Sequence, residues 1–186
     1  MQLIVLFTVI FDPPMSFAVF SVATKQLSTE EKKSVANLAI MVAAFLSISV
    51  LFFGNYLLAL FSTSLQDFRV AGGICLGLLG IKMIFGYPLA KVDQGSTGKA
   101  IAAIIATPLL TGPAAITAII VNTKDYGIVP TGLAVIIVLG ATAVLFYQAD
   151  RINRHLPTTA IQVTSTILGL ITLAWAVKFI RTGLGI

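Results

Sequence analysis

Charged residues and cysteine are scarce in this sequence. Only 10% of its 186 residues are charged, whereas a soluble domain carries about 25%, so the composition excludes an ordinary soluble protein. The single cysteine, Cys75, has no second cysteine with which to form a disulfide, a zinc-ligand cluster or a redox pair. The single histidine, His155, stands beside Arg154 between apolar segments, and we expect it to be a solvated loop residue.

Long apolar segments make up most of the chain. Apolar residues account for 58% of it, and the mean hydropathy is +1.01. A helix needs about 20 residues to cross a hydrocarbon core of roughly 30 Å. Six runs are long enough, which predicts an all-α integral membrane protein with one transmembrane domain over residues 1–186. The runs are Gln2 to Ala23, Val35 to Phe61, Phe68 to Tyr87, Ala100 to Asn122, Ile128 to Ala149 and Pro157 to Ile180.

The basic residues indicate the topology. The net charge of +5 is spread over short loops rather than gathered on one face, so we expect no nucleic-acid partner. Eight basic residues lie on the side of loops one–two, three–four and five–six, against four on the other side. The positive-inside rule then predicts that both termini lie outside; the prokaryotic-type cell (inner) membrane is implied only by the family resemblance given below. The eight are Lys25, Lys32, Lys33, Lys82, Lys91, Lys99, Arg151 and Arg154, and the four are Arg69, Lys124, Lys178 and Arg181.

Two of the apolar runs are interrupted near their middle by proline-rich polar breaks. Asp12-Pro13-Pro14 interrupts the first run and Thr107 to Pro113 interrupts the fourth, with prolines 13 and 108 standing 95 residues apart. Such breaks in corresponding positions of two halves indicate a transporter substrate site, because unwound backbone in a bilayer persists only where it lines a cavity or is buried in protein. Ten helical residues before the first break reach about 15 Å, so we expect both breaks near the membrane midplane.

A second pair of landmarks indicates a duplication. Gly73 and Lys82 are nine residues apart, as are Gly169 and Lys178, and the two pairs are offset by 96 residues. Three spans in each repeat is an odd number, so the second repeat enters the membrane from the opposite face. We therefore predict two inverted three-helix repeats, with the first and fourth helices discontinuous. The repeats cover about residues 1–90 and 96–186.

Each break carries the signal for the start of a half-helix. Asp12 before Pro13 is an N-cap followed by proline at the first helical position, and Thr111-Gly112-Pro113 repeats this pattern. The free N–H groups at such a start favour a carboxylate. The half-helices that end at the breaks, Gln2 to Phe11 and Ala100 to Ala106, present free carbonyls to an ammonium group or a cation. Together the breaks suit a zwitterion.

Asp12 is the one acidic residue expected at mid-membrane depth. A carboxylate there costs a few kcal/mol, so it should face a cavity, pair with a cation or hold a proton. We predict that Asp12 binds substrate and the coupling cation; the alternative is that it only caps its half-helix. The hydroxyls of Thr107 and Thr111 either bind substrate or cap the backbone at the kink. The candidate substrate-binding residues are Asp12, Pro13, Pro14, Met15, Ser16, Thr107, Leu110, Thr111, Gly112, Pro113 and Ala114.

Three segments of the chain resemble the MarC family of six-span inner-membrane proteins, in the broader lysine-exporter superfamily. They are Asp12 to Ala18, Phe68 to Gly73 and Pro108 to Ile116, which are similar to the family elements Asn/Asp-Pro-Ile-Gly-x-x-Pro, Phe-Arg-Ile-Ala-Gly-Gly and Pro-Leu-x-x-Gly-Pro-Gly-Ala-Ile. Met15 and Ala114 stand where the family has glycine, which narrows the room beside the backbone. The resemblance implies transport of small neutral amino acids, such as glycine and alanine, driven by a cation gradient.

Three hypotheses about function follow. The first is a secondary transporter, not an enzyme, that holds small neutral amino acids between the two breaks and works by alternating access in the lipid bilayer. It would couple transport to a proton or sodium ion and need no cofactor. The second is an inorganic-ion exporter, which needs several midplane ligands although only Asp12 and Cys75 qualify. The third is an intramembrane enzyme, which needs a buried nucleophile beside a base; Asp12 with Ser16 is the one candidate pair.

Overall fold

The computed structural model describes residues 1–60, 62–87, 97–152 and 158–186, apart from the side chains of Asn55, Leu57, Pro108, Leu109 and Thr158. Several residues used in the sequence predictions lie outside this part of the chain. They are Phe61 and Pro157, which were expected to bound the second and sixth runs, and the loop residues Lys91, Arg154 and His155.

The described residues form helices, and no strand occurs among them. The helices are α1 (Gln2–Phe11), α2 (Pro13–Ala23), α3 (Thr29–Leu60), α4 (Leu65–Phe85), α5 (Gly98–Ile104), a π-helical turn at Ile105–Leu110 that we call the π segment, α6 (Pro113–Tyr126), α7 (Ile128–Tyr147), α8 (Ala149–Ile152) and α9 (Thr158–Leu184).

Five helical stretches in the described part of the chain are long and apolar enough to cross a membrane. Together with the composition they make this an all-α multi-pass membrane protein. The expected fourth run corresponds to α5, the π segment and α6, each shorter than a full span, so the count of six spans stays a prediction. The five stretches are Gln2–Ala23, Thr29–Gly54, Leu65–Phe85, Ile128–Tyr147 and Thr159–Leu184.

The sequence predicted that the half-helix before the second break ends at Ala106, and this is wrong. Helical structure continues through the π segment to Leu110, and the break lies at Thr111 and Gly112. The physical reason is Pro108, which has no N–H to donate to the carbonyl four residues earlier. The wider π turn accommodates this loss, and the N–H of Thr111 reaches back five residues to the carbonyl of Ala106 at 3.0 Å.

Glycines bring α4 and α9 into close antiparallel contact. A Cβ atom at Gly73 would lie 2.9 Å from the carbonyl oxygen of Ala176, and one at Gly80 would lie 2.8 Å from that of Gly169. Without hydrophobic driving force between helices in lipid, such backbone approach supplies the packing that joins them. These two helices therefore form a closely packed pair that flanks the broken helices.

The two broken segments pack against each other. α1, which precedes the first break, packs against α6, which follows the second. α2, which follows the first break, packs against the π segment, which precedes the second. α3 packs against α5, the π segment and α6, while α7 packs against α1 and α2. Each broken segment is therefore packed against the other and against a continuous helix.

Candidate functional site

Asp12 connects α1 to α2 through a left-handed backbone conformation. Its φ and ψ are 39° and 67°, a region that aspartate and asparagine tolerate better than most residues. Its N–H donates to the carbonyl of Thr8 at 3.1 Å and so closes α1, while its own carbonyl accepts from the N–H of Ser16 at 2.8 Å. One residue thus ends a helix and starts the next.

The side chain of Asp12 is 1% exposed and accepts two hydrogen bonds. Oδ1 accepts from the N–H of Met15 at 3.3 Å, which makes Asp12 the N-cap of α2 as the sequence predicted. Oδ2 accepts from the hydroxyl of Ser165, in α9, at 2.7 Å. Asp12 is the one buried acidic side chain among the described residues. Besides capping α2, it joins α9 to the first break through the bond from Ser165.

Sequence reasoning missed Ser165. It is fully buried and lies 153 residues from Asp12 along the chain, so no local spacing relates the two. The available signal was its polarity, because a hydroxyl residue inside an apolar span often bonds across helices.

A cavity of about 150 Å³ lies next to the first break. Apart from Thr164 its lining is apolar. Pro14 is the one predicted site residue that lines it. The other lining residues are Phe17, Leu145, Ile152, Ala160, Ile161 and Thr164, from α2, α7, α8 and α9.

The remaining predicted residues of the first break differ in burial. Pro13 and Ser16 are buried, whereas Pro14 and Met15 are partly exposed. The hydroxyl of Ser16 donates to the carbonyl of Phe11 at 2.7 Å. This bond satisfies an acceptor at the end of α1 that the break would otherwise leave without a donor.

The second break has a similar hydroxyl contact. The Thr111 hydroxyl donates to the carbonyl of Ala106 at 2.6 Å, and the side chain is 3% exposed. This hydroxyl therefore caps the backbone at the kink, which is one of the two roles that the sequence left open for it. Thr107 is exposed and Leu110 is fully buried.

The start of α6 has no side-chain cap. Gly112 is its N-cap residue, Pro113 has no N–H, and no side-chain hydrogen bond caps the helix. Ala114 is 8% exposed, whereas Gly112 is partly exposed and Pro113 is exposed. A helix start has unpaired N–H groups and a partial positive charge, so this end of α6 is suited to an anion such as a carboxylate.

The two breaks therefore offer complementary chemistry. The first has a buried carboxylate, and the second has an uncapped helix start. Within the described ranges, no group of three His, Cys, Asp or Glu side chains is placed to hold a metal ion.

Comparison with known proteins identifies the family. A family model described as MarC family integral membrane protein matches residues 1–186. The chain belongs to the MarC family. This match agrees with the resemblance seen in the sequence elements at both breaks and at the start of α4.

Relatives of this MarC-family chain occur in archaea and bacteria. A UPF0056 membrane protein of Pyrococcus horikoshii is 31% identical over 182 residues, which cover 97% of this chain and 90% of the relative. The UPF0056 membrane protein YhcE of Escherichia coli is 34% identical over 161 residues, which cover 80% of this chain and 73% of the relative. No solved structure shows a significant match to the chain.

Proposed function

We propose that this protein is a cation-coupled secondary transporter of small neutral amino acids, such as glycine and alanine, and not an enzyme. The observation that carries the proposal is that the two broken segments, whose breaks have opposite chemistry, pack against each other. The buried Asp12 carboxylate belongs to one break, and the uncapped start of α6 belongs to the other. An intramembrane ionisable residue is a functional site by default because of the cost of placing it there.

A zwitterion matches this pair of groups. The N–H groups at the start of α6 hold the substrate carboxylate, and Asp12 with the carbonyl end of α1 holds the substrate ammonium or the coupling cation. The coupling cation is a proton or a sodium ion. The pocket beside Pro14 is a candidate for part of the substrate path.

Matched hydrogen bonds support an internal repeat. Ser16 donates to the carbonyl five residues before it, at Phe11, and Thr111 donates to the carbonyl five residues before it, at Ala106. Both donor and acceptor are offset by 95 residues, the same offset that separates the prolines. The packing is matched too, because α3 contacts α5 and α6 as α7 contacts α1 and α2.

This correspondence favours an inverted repeat of three spans, with six spans in all and the first and fourth discontinuous. Repeat 1 covers about residues 1–90 and repeat 2 about 96–186. Transport then proceeds by alternating access, as one repeat rocks against the other around a fixed site. The proposal includes a place in the lysine-exporter superfamily, and an inner-membrane location with both termini outside.

Ligand binding to the purified protein tests the proposal. Thermal unfolding in detergent is measured with each of the twenty amino acids, with sodium concentration and pH varied independently. A ligand that binds only the folded state raises the melting temperature, so we expect glycine and alanine to raise it in a sodium- or pH-dependent manner. Stabilisation by none of the amino acids under any of these conditions would contradict the proposal.

A further inference from the structure

Four buried hydroxyl oxygens have no hydrogen-bond partner among the described residues: those of Ser21, Ser47, Thr123 and Thr131. An unpaired buried hydroxyl is unfavourable, and serine or threonine in a helix commonly donates to the carbonyl four residues earlier. Ser49 does so, with a 2.8 Å bond to the carbonyl of Phe45. A buried hydroxyl that lacks this bond is available to a ligand.

Ser47 lies on the face of α3 that packs against the second broken helix. Its residue is 2% exposed, and the same face carries the buried small residues Ala36, Ala39 and Ala43, at the three- and four-residue spacing of one helix side. α3 packs against α7 as well as against α5, the π segment and α6. Gly54, seven residues beyond Ser47 and on the same side of α3, packs against Ile120 of α6. The Ser47 hydroxyl therefore points into the bundle rather than toward lipid.

The helix contacts place Ser47 level with the second break. A Cβ atom at Gly98 of α5 would lie 3.2 Å from the Val35 side chain of α3, and one at Gly54 of α3 would lie 2.5 Å from the Ile120 side chain of α6, so each pair of residues is adjacent. The residue numbers rise together along the two helices and differ by 63 at the first contact and by 66 at the second. The same differences put Ser47 beside residues 110–113, where α6 starts.

The other three unpartnered hydroxyls lie elsewhere. Ser21 is near the end of α2, Thr123 is near the end of α6, and Thr131 is near the start of α7. Ser47 alone among them is level with a break.

The residue at the corresponding position of the second half, Thr142, differs from Ser47 in its hydrogen bonding. Thr142 follows Ser47 by 95 residues and is also fully buried, but its hydroxyl donates to the carbonyl of Val138 at 2.9 Å. The first break has a carboxylate of its own in Asp12. The second break has an uncapped helix start, and Ser47 is the unpartnered hydroxyl beside it.

We infer that Ser47 is a substrate-contacting residue, whose hydroxyl donates a hydrogen bond to the carboxylate bound at the start of α6. This inference rests on the proposed function and adds α3 to the two broken helices as a third wall of the site. A hydroxyl donor and helix N–H groups together can surround a carboxylate, which accepts several hydrogen bonds.

Calorimetric titration of glycine into the purified protein tests the inference, with Ser47→Ala, Ser47→Thr and the control Ser49→Ala. We expect Ser47→Ala to raise the glycine Kd about tenfold or more, because it removes a hydrogen bond to a charged group. Ser47→Thr keeps the hydroxyl and should restore most of the affinity. Ser49→Ala keeps the wild-type Kd because its hydroxyl is bonded to its own helix. In the absence of ligand, Ser47→Ala unfolds at the wild-type temperature or above, because it removes an unpaired buried group. An unchanged glycine Kd in Ser47→Ala overturns the inference.

A second measurement separates this inference from the proposed function. Ser47→Cys, in a Cys75→Ala background, is treated with the anionic reagent 2-sulfonatoethyl methanethiosulfonate, with and without acetate. We expect labelling that acetate slows, since both anions compete for the start of α6. Failure of the wild-type protein to bind glycine or alanine overturns the proposed function, and the labelling still decides the role of Ser47. Labelling that acetate does not slow, or no labelling, overturns that role.

Discussion

The hydroxyl of Ser165 donates a 2.7 Å hydrogen bond to Oδ2 of Asp12 and joins α9 to the break between α1 and α2. Both residues are buried, at 0% and 1% exposure. Because α9 also packs against α4 through glycines, the bond connects the broken first span to the closely packed helix pair beside it. A change at Asp12 can therefore alter how the broken span sits on that pair.

Ser165→Ala should destabilise the protein. It removes the donor to Oδ2 of a buried carboxylate, and an unsatisfied buried acceptor costs about 1–3 kcal/mol. We expect a lower melting temperature in detergent. Thr166→Val is the matched control, because the Thr166 hydroxyl donates only to the carbonyl of Gln162 in its own helix. Equal melting temperatures for Ser165→Ala and wild type would show that the bond does not hold the carboxylate in place.

Gly80→Ala should separate α4 from α9. A Cβ at this position would lie 2.8 Å from the carbonyl oxygen of Gly169 and 3.0 Å from the Leu173 side chain, and such overpacking costs about 1–3 kcal/mol. Gly140→Ala is the control, since a Cβ there meets nothing within 4 Å among the described residues.

The control change should stabilise α7 by up to about 1 kcal/mol, because alanine is the better helix former. Thermal unfolding of the two variants is compared under identical conditions. A Gly80→Ala protein that unfolds at or above the temperature of Gly140→Ala would contradict the close packing of α4 on α9.

Ala160→Phe should block transport by filling the cavity beside Pro14. Ala160 lines this space of about 150 Å³, and a phenyl ring leaves little of it free. Val163 lies on the same helix and is exposed, as Ala160 is, but it does not line this space, so Val163→Phe should transport normally. Initial rates of glycine uptake into liposomes are compared at equal protein content. Wild-type uptake by Ala160→Phe would mean that the cavity is not part of the substrate path.

Local sequence signals were sufficient for part of this description. Asp12 before Pro13 predicted the N-cap that the structure has, because a capping side chain and proline at the first helical position act within one turn. Composition predicted an all-α membrane protein because the cost of unpaired backbone in lipid leaves helices as the main solution for apolar segments of this length.

Interactions across the fold could not be predicted. The bond from Ser165 to Asp12 depends on how α9 packs against α2, which no spacing in the chain encodes. The extension of helix from Ala106 to Leu110 was missed because proline normally ends a helix, whereas a π turn here accommodates it. The level of Ser47 beside the second break likewise follows from the contacts of α3 with α5 and α6.

We propose that this protein transports small neutral amino acids together with a cation, and that Asp12 couples the movement of the amino acid to that of the cation. The most direct measurement is uptake of labelled glycine and alanine into liposomes that contain purified wild-type protein or Asp12→Asn, with sodium and proton gradients imposed separately. Asparagine keeps a side-chain acceptor for the N-cap and tolerates the left-handed backbone, so the variant should fold. We predict cation-dependent uptake by the wild type, and uptake by Asp12→Asn that is abolished or no longer responds to either gradient. Undiminished, gradient-driven uptake by Asp12→Asn would contradict the role of Asp12, and no uptake by the wild type would contradict the function itself.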